Sequence, residues 1–271
     1  MGGACGGGRV GPSHVGVRIT EGGTPVIIDS HVHLKHGNAE RTEYRAEQIV
    51  QAMDDAGVER SIVFAMCTTT RASIDMAAAA VGEYPERLVA YAYALPHPER
   101  PILGDIEDAV RNRGFRGIKI HRGECTLAPY VSDPVIALAG RLRVPCLMHF
   151  TGADGELACM AAAFPQTRII AAHLGSYLCT QPALIDRFLR IAAAHRNVYL
   201  DISGVVLLEK IRDAVATVGA ERVLWGSDGP YPAPTLGDYV ATDIRKVRAA
   251  GLADQDLTAV LGGSCAALLG L

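Results

Sequence analysis

The sequence predicts an α/β fold, a single-domain (β/α)8 (TIM) barrel, on three observations. Eight short runs of β-branched and apolar residues alternate with longer amphipathic stretches. The short runs are apolar almost throughout, which is how parallel strands covered on both faces read. Eight βα units of ordinary length fit within 271 residues. A doubly wound open sheet is the competing architecture, and the unit count favours the barrel.

The first strand is expected over Val26–His33 and the first helix over Arg45–Ala56, ended by Gly57 as a C-cap. Ser61–Met66 is followed by the helix Ser73–Glu83, and Leu88–Leu95 by Ile102–Arg113. After Gly117–His121, Ser132-Asp133-Pro134 offers an N-cap residue and a proline at N1, so the fourth helix is expected over Pro134–Arg141. The remaining pairs are Val144–Phe150 with Glu156–Phe164, Arg168–His173 with Pro182–His195, Val198–Ile202 with Leu208–Val218, and Val223–Ser227 with Tyr239–Ala249. Asp256–Leu269 closes the chain as a last helix. No Pro/Ser-rich linker or charge run divides residues 25–271. Residues 1–24 form a Gly-rich segment expected to be flexible, disordered from Met1 to about Gly11, with a short extra strand at Val15–Thr20.

Composition excludes several classes. A net charge of −3 gives no broad electrostatic attraction to nucleic acid or to an anionic membrane. No apolar run reaches the length of a membrane span, and the N-terminus lacks the apolar region of a signal peptide. The seven cysteines are scattered without a C-x-x-C pair, so reduced thiols in a cytoplasmic protein are expected, most of them in the core.

The polar residues at the strand ends carry the chemistry. In IIDSHVHL, alternation with period two puts Asp29, His31 and His33 on one face. Two imidazoles at i and i+2 form a natural clamp for a divalent metal, with Asp29 orienting a ligand or the strand beneath it. GIKIHRGE places Lys119 and His121 on one face of the fourth strand. VPCLMHF ends at His149, RIIAAHLGS carries His173, and VLWGSDGPY carries Asp228. Five of the nine histidines thus fall at predicted strand C-termini, where barrels of this kind keep their active sites. A lone buried histidine is more often a core or cap residue; the clustering favours function. Lys119 and His121 are balanced between substrate binding and ordinary pairing. His195 reads as a helix C-terminal cation, and His14, His36 and His97 as loop residues without chemistry.

The order D-x-H-x-H, G-I-K-I-H, L-M-H, A-H-L-G-S, G-S-D-x-P-Y resembles the amidohydrolase superfamily, and more narrowly its amidohydrolase-related branch of metal-dependent TIM-barrel hydrolases and decarboxylases. The resemblance runs from Val26 to Leu271, with QAMDDAGVERSIVF, NVYLDISG and ERVLWGSDGPY in support. It implies one divalent metal ion, zinc first, held by His31, His33, His149 and Asp228, with Asp228 also taking a proton and His173 polarising the substrate or acting as acid or base. Other branches hold two metals bridged by a carboxylated fourth-strand lysine, the position of Lys119, and some relatives work without metal; the K-x-H phrase resembles the one-metal branch. A homodimer is expected on the same resemblance.

The loops set specificity. Arg71, Arg122, Glu124 and Tyr231 are the substrate-contact candidates, and arginine grips a carboxylate bidentately. The expected activity is hydrolysis of a C–N or C–O bond in a small, carboxylated amide, lactone or cyclic imide by metal-activated water. The alternative is non-oxidative decarboxylation of a small aromatic or conjugated acid, and a non-catalytic binding barrel is the third reading.

Overall fold

A computed structural model of the protein describes residues 26–99 and 101–271. The Gly-rich segment 1–24, with the strand expected at Val15–Thr20, lies outside the described residues. The eight expected strands are present as β1 (Ile28–Lys35), β2 (Arg60–Ala65), β3 (Leu88–Ala94), β4 (Gly117–His121), β5 (Cys146–His149), β6 (Ile169–Ala171), β7 (Val198–Asp201) and β8 (Val223–Leu224). They pair in sequence order, every pair parallel. The helices between them are α1 (Ala46–Ala56), α2 (Thr70–Glu83), α3 (Leu103–Asn112), α4 (Pro129–Leu142), α5 (Asp154–Ala163), α6 (Pro182–Ala194), α7 (Leu208–Val218) and α8 (Leu236–Arg248). Then α9 (Asp254–Thr258), a π-helical turn over Ala259–Gly263 and α10 (Ser264–Leu269) occupy the region expected as one helix.

The barrel closes beyond the two residues of β8. The Ser30 N–H donates to the Trp225 carbonyl (3.1 Å), the Asp228 N–H to the His31 carbonyl (2.9 Å) and the His33 N–H to the Gly229 carbonyl (2.8 Å). These bonds join the first strand to the loop that carries Asp228. A buried layer between strands and helices includes Val63, Ala92, Ile120, Met148, Leu200 and Trp225. A second cluster fills the barrel with Ile28, Ile62, Phe64, Tyr91, Tyr93, Leu147, Ile170 and Leu224. Gly117 belongs to that packing: a Cβ there would lie 2.4 Å from the Tyr91 ring.

Two local expectations are corrected. The fourth helix starts at Pro129, not at Pro134, which lies inside it. Pro129 takes the first helical position, and the Ser132 hydroxyl donates back to the Leu127 carbonyl (3.1 Å) instead of capping a later start. The second correction concerns Asp29. From Asp29 to Val32, β1 advances three residues while β2 advances two, from Ser61 to Val63. That β-bulge inserts one residue and switches the side-chain parity. Asp29 therefore does not share a face with the two histidines. It points out with Val32 into the small space under α1 and α8, beside Ile49, Met53 and Val240. His31 and His33 are turned inward. The Asp29 carboxylate accepts the Ser227 N–H (2.8 Å) and the His31 N–H (3.2 Å), so it pins the bulge to the closing loop. Burial pushes its pKa up to about 7, against those hydrogen bonds.

Gly57 adopts the left-handed conformation expected of it, with φ 72°. Of the six described cysteines, all free, Cys146, Cys179 and Cys265 are buried, Cys67 and Cys125 are half-buried and Cys159 is exposed. Among the described residues no helix is long and apolar enough to cross a membrane.

Candidate active site

The C-terminal ends of β1, β4, β5, β6, β7 and β8 bring their polar residues to one point. Asp228 Oδ1 lies 2.9 Å from His31 Nε2 and 3.0 Å from His33 Nε2. Lys119 Nζ is 3.0 Å from His31 Nε2 and sits 5.0 Å above the centre of the Phe64 ring. Ligand-type atoms of His31, His173 and Asp228 all lie within 4.8 Å of one another. The rings continue outward: His31 stacks on His173 (5.2 Å between centroids), His173 meets His149 edge-on (4.6 Å), and His149 meets His121 (4.3 Å). The ring nitrogens of His149 form no hydrogen bond among the described residues. His33 Nδ1 is buried without a partner.

Strained backbone gathers at this end of the barrel. Cys67 after β2, Thr151 after β5, His173, Leu174 and Leu178 after β6, and Asp228 after β8 all have φ near +50°, which costs non-glycine residues free energy and concentrates at functional sites. At Asp228 the bond from its own N–H to His31 holds that conformation. At His173, whose φ is 59°, the N–H donates to Asp201 Oδ1 at 3.2 Å.

Burial and charge set the protonation states. Burial works against the Asp228 carboxylate, but His31 and His173 beside it outweigh burial and hold its pKa well below the usual range. Burial lowers the pKa of His33, His173 and His149, and pushes His121 down to about 3. For His31, burial and Lys119 favour the neutral ring, and Asp228 and Asp201 override them and raise its pKa. Burial pushes Lys119 down to about 8. His173 Nδ1 is 2.9 Å from the Ser203 carbonyl, which only accepts, so Nδ1 carries the proton and Nε2 is left as a base.

The rim residues divide. Arg122 donates to Glu156 (3.1 Å) and to the Thr151 hydroxyl (3.0 Å) above β4 and β5. Tyr231 stacks on His36 with centroids 4.4 Å apart. Glu124 turns inward, accepting from the Cys67 N–H (3.2 Å), the Cys67 thiol (3.1 Å) and the Tyr93 hydroxyl. Arg71 is not brought to the site: its side chain is 75% exposed and pairs with Asp105 of α3 at 2.7 Å.

Three participants escaped the sequence reading. Asp201, at the end of β7, lies 3.1 Å from His31 Nδ1, and Ser203 contacts both His31 and His173. The signal was available in VYLDISG, where an acid ends a strand just as Asp228 follows one. His36 is the third: it is buried, stacks on His33 (4.7 Å) and donates to the Pro230 carbonyl (3.0 Å).

Comparison with known proteins follows the same outline. The family model described as Amidohydrolase matches residues 28–271. The chain belongs to the amidohydrolase family. No curated protein matches it in sequence. Among solved structures it is similar to 5-carboxyvanillate decarboxylase from Sphingomonas paucimobilis, at 15% identity and a TM-score of 0.71, covering 92% of this chain and 100% of that one. It is also similar to a protein described as a probable 2-pyrone-4,6-dicarboxylic acid hydrolase from Acinetobacter baumannii, at 14% identity and 0.70, covering 90% and 99%. A third is 4-oxalomesaconate hydratase from Rhodopseudomonas palustris, at 15% identity and 0.69, covering 90% and 96%. At these identities the likeness is one of fold. The amidohydrolase family and these neighbours are enzymes of differing reaction class.

Members of such a family typically hold a divalent metal, and the residues present fit one. Two imidazoles and a carboxylate oxygen converge to 2.9–3.0 Å. Tetrahedral zinc with bonds of about 2.0–2.1 Å spaces its ligands by roughly 3.3 Å, so a slight spreading admits the ion. A carboxylate held ionised suits a cation, and so do the His33 and His149 rings held neutral; at His31 the two carboxylates that raise the pKa favour a positive charge there, which a bound cation would supply in place of the proton.

Proposed function

We propose that the chain is a metal-dependent hydrolase that cleaves a C–N or C–O bond in a small carboxylated substrate, an amide, lactone or cyclic imide. The observation that carries this is the Asp228 carboxylate oxygen shared by His31 and His33 at the mouth of the barrel, with the free Nε2 of His173 facing the same space.

In this reading His31, His33, His149 and Asp228 hold one ion, zinc in the first instance, which when bound polarises a carbonyl and lowers the pKa of water. The protein's own groups do the rest. Asp228, held ionised, accepts a proton from the attacking water. His173 accepts or returns a proton at Nε2, its ring fixed from the other side by Ser203. Lys119, buried and cationic below about pH 8, stabilises negative charge developing on the substrate. His121, Arg122 and Tyr231 line the opening and orient the substrate carboxylate. Arg71 is held away from the site by Asp105 of α3, whereas Arg122 sits above β4 and β5, where a substrate carboxylate would compete with Glu156 for it.

Decarboxylation is the second reading, favoured by the fold likeness to 5-carboxyvanillate decarboxylase. Elemental analysis of protein purified without added metal or chelator tests the shared part, with about one zinc or similar ion per chain expected. Incorporation of oxygen from labelled water into the product then supports hydrolysis, and release of CO2 without it selects decarboxylation. Near-zero metal with chelator-resistant activity refutes the metal reading.

A further inference from the structure

The Asp201 carboxylate divides its work between two oxygens. Oδ2 faces His31 Nδ1 at 3.1 Å. Oδ1 accepts the Ser203 N–H (2.9 Å), the His173 N–H (3.2 Å) and the Ser203 hydroxyl. Asp201 and Ser203 are fully buried, and Ser203 in turn holds His173 Nδ1 through its carbonyl and its hydroxyl. One carboxylate therefore joins a metal-binding candidate of β1 to the acid–base candidate after β6.

We propose that Asp201 is the positioning residue of the site, holding the proton of His31 on Nδ1 so that Nε2 presents its lone pair beside Asp228. The inference rests on the metal site of the proposed function and adds to it a residue that touches no substrate. An ionised carboxylate only accepts, so Oδ2 demands a donor from His31. The proton on Nδ1 supplies that donor and leaves Nε2, 2.9 Å from Asp228 Oδ1, as the nitrogen whose proton an ion between the two would replace. A carboxylate behind a ligating imidazole both fixes the tautomer and raises the basicity of the far nitrogen.

The two-oxygen division makes Asp201→Asn a selective cut. The amide oxygen in the place of Oδ1 keeps the backbone bonds from Ser203 and His173. The amide NH2 in the place of Oδ2 confronts Nδ1 with a donor, so the imidazole proton moves to Nε2 and blocks the ligating nitrogen. Ser203→Ala is the complementary cut: it removes the hydroxyl from His173, from Asp201 Oδ1 and from its longer 3.3 Å contact with His31 Nδ1, while leaving Oδ2 as the acceptor on His31.

The test is the dissociation constant for Zn2+, measured by competition with a chromophoric chelator, and the visible absorption of the Co2+-loaded protein. Asp201→Asn is expected to unfold cooperatively, to bind Zn2+ about 10- to 100-fold more weakly than the wild type, and to lose intensity in the Co2+ bands. Ser203→Ala is expected to stay within about threefold of the wild type, because His31 keeps its carboxylate partner. Asp201→Asn binding as tightly as the wild type overturns the inference and leaves the metal site standing. Equal losses in both variants also overturn it, since general disruption of the buried network then accounts for the effect. A wild-type protein that binds no Zn2+ refutes the metal reading itself and this inference with it.

Discussion

His31 and Asp228 meet twice. The Asp228 N–H donates to the His31 carbonyl at 2.9 Å, and the Asp228 carboxylate reaches His31 Nε2 at 2.9 Å. The backbone bond places the two main chains side by side, within reach of the side-chain contact. His31→Asn and Asp228→Asn should each reduce zinc per chain from about one to near zero, a larger loss than the roughly 10- to 100-fold expected for an outer partner. Elemental analysis after gel filtration reads the result. Full zinc retention in both variants would move the metal site elsewhere.

Gly226 leaves the space that His31 occupies. A Cβ on Gly226 would lie 2.6 Å from the His31 Cβ and 3.0 Å from its backbone nitrogen. Gly226→Ala must therefore displace the first strand, and overpacking of this kind costs about 1–3 kcal/mol. Thermal unfolding should fall by about 2–4 °C per kcal/mol, with a matching loss of Zn2+ affinity. Unchanged melting and unchanged affinity would contradict the contact.

Ligand binding should appear as stability. Zn2+ at about 100 times its dissociation constant stabilises the fold by about 2.7 kcal/mol, which at about 2–4 °C per kcal/mol raises the melting temperature of the chelator-treated protein by about 5–11 °C. Differential scanning calorimetry with and without Zn2+ checks it. The same addition should restore activity lost to chelator.

Arg71 and Arg122 should separate in kinetics. Arg71 pairs with Asp105 in solvent, and its replacement by alanine should change stability by no more than about 0.5 kcal/mol and leave KM alone. Arg122→Ala should raise KM by about tenfold, the equivalent of roughly 1.4 kcal/mol of substrate carboxylate binding. Equal KM values for the two variants would remove Arg122 from the substrate site.

Lys119→Met tests the number of ions. Methionine matches the length and volume of the lysine stem without its charge, so the barrel packing should persist. Lys119 Nζ stands 3.0 Å from His31 Nε2, where its charge opposes a cation. The variant should keep about one zinc per chain; a fall from two ions to one or none would indicate a bridging lysine.

The eight-unit barrel was legible because each strand is a local apolar run and each helix a local periodic one. The strand-end histidines were legible for the same reason: their position along a strand decides which end of the barrel they reach. Asp29 was misread because its parity depends on a bulge set by pairing with β2 and by bonds to the closing loop, neither of which is local. Arg71 was misread because its partner, Asp105, lies on the next helix, beyond any local pattern. Asp201 was overlooked although the rule that selected the other strand-end residues applies to it. Its partner is an imidazole 170 positions away, and nothing local marks that bond.

The closing loop gives the site a mechanical role. The first strand and the loop after the last are joined by three backbone bonds and by the contacts of His31 and His33 with Asp228, that of His33 spanning 195 positions. An ion gripped from both sides of that seam would be a reversible cross-link, tying off most of the chain as one loop. Closing so long a loop removes more entropy from the unfolded chain than any shorter tie does. The ion of the proposed site would therefore also act as the clasp of the barrel, so that a shortage of metal would cost folded protein as well as activity.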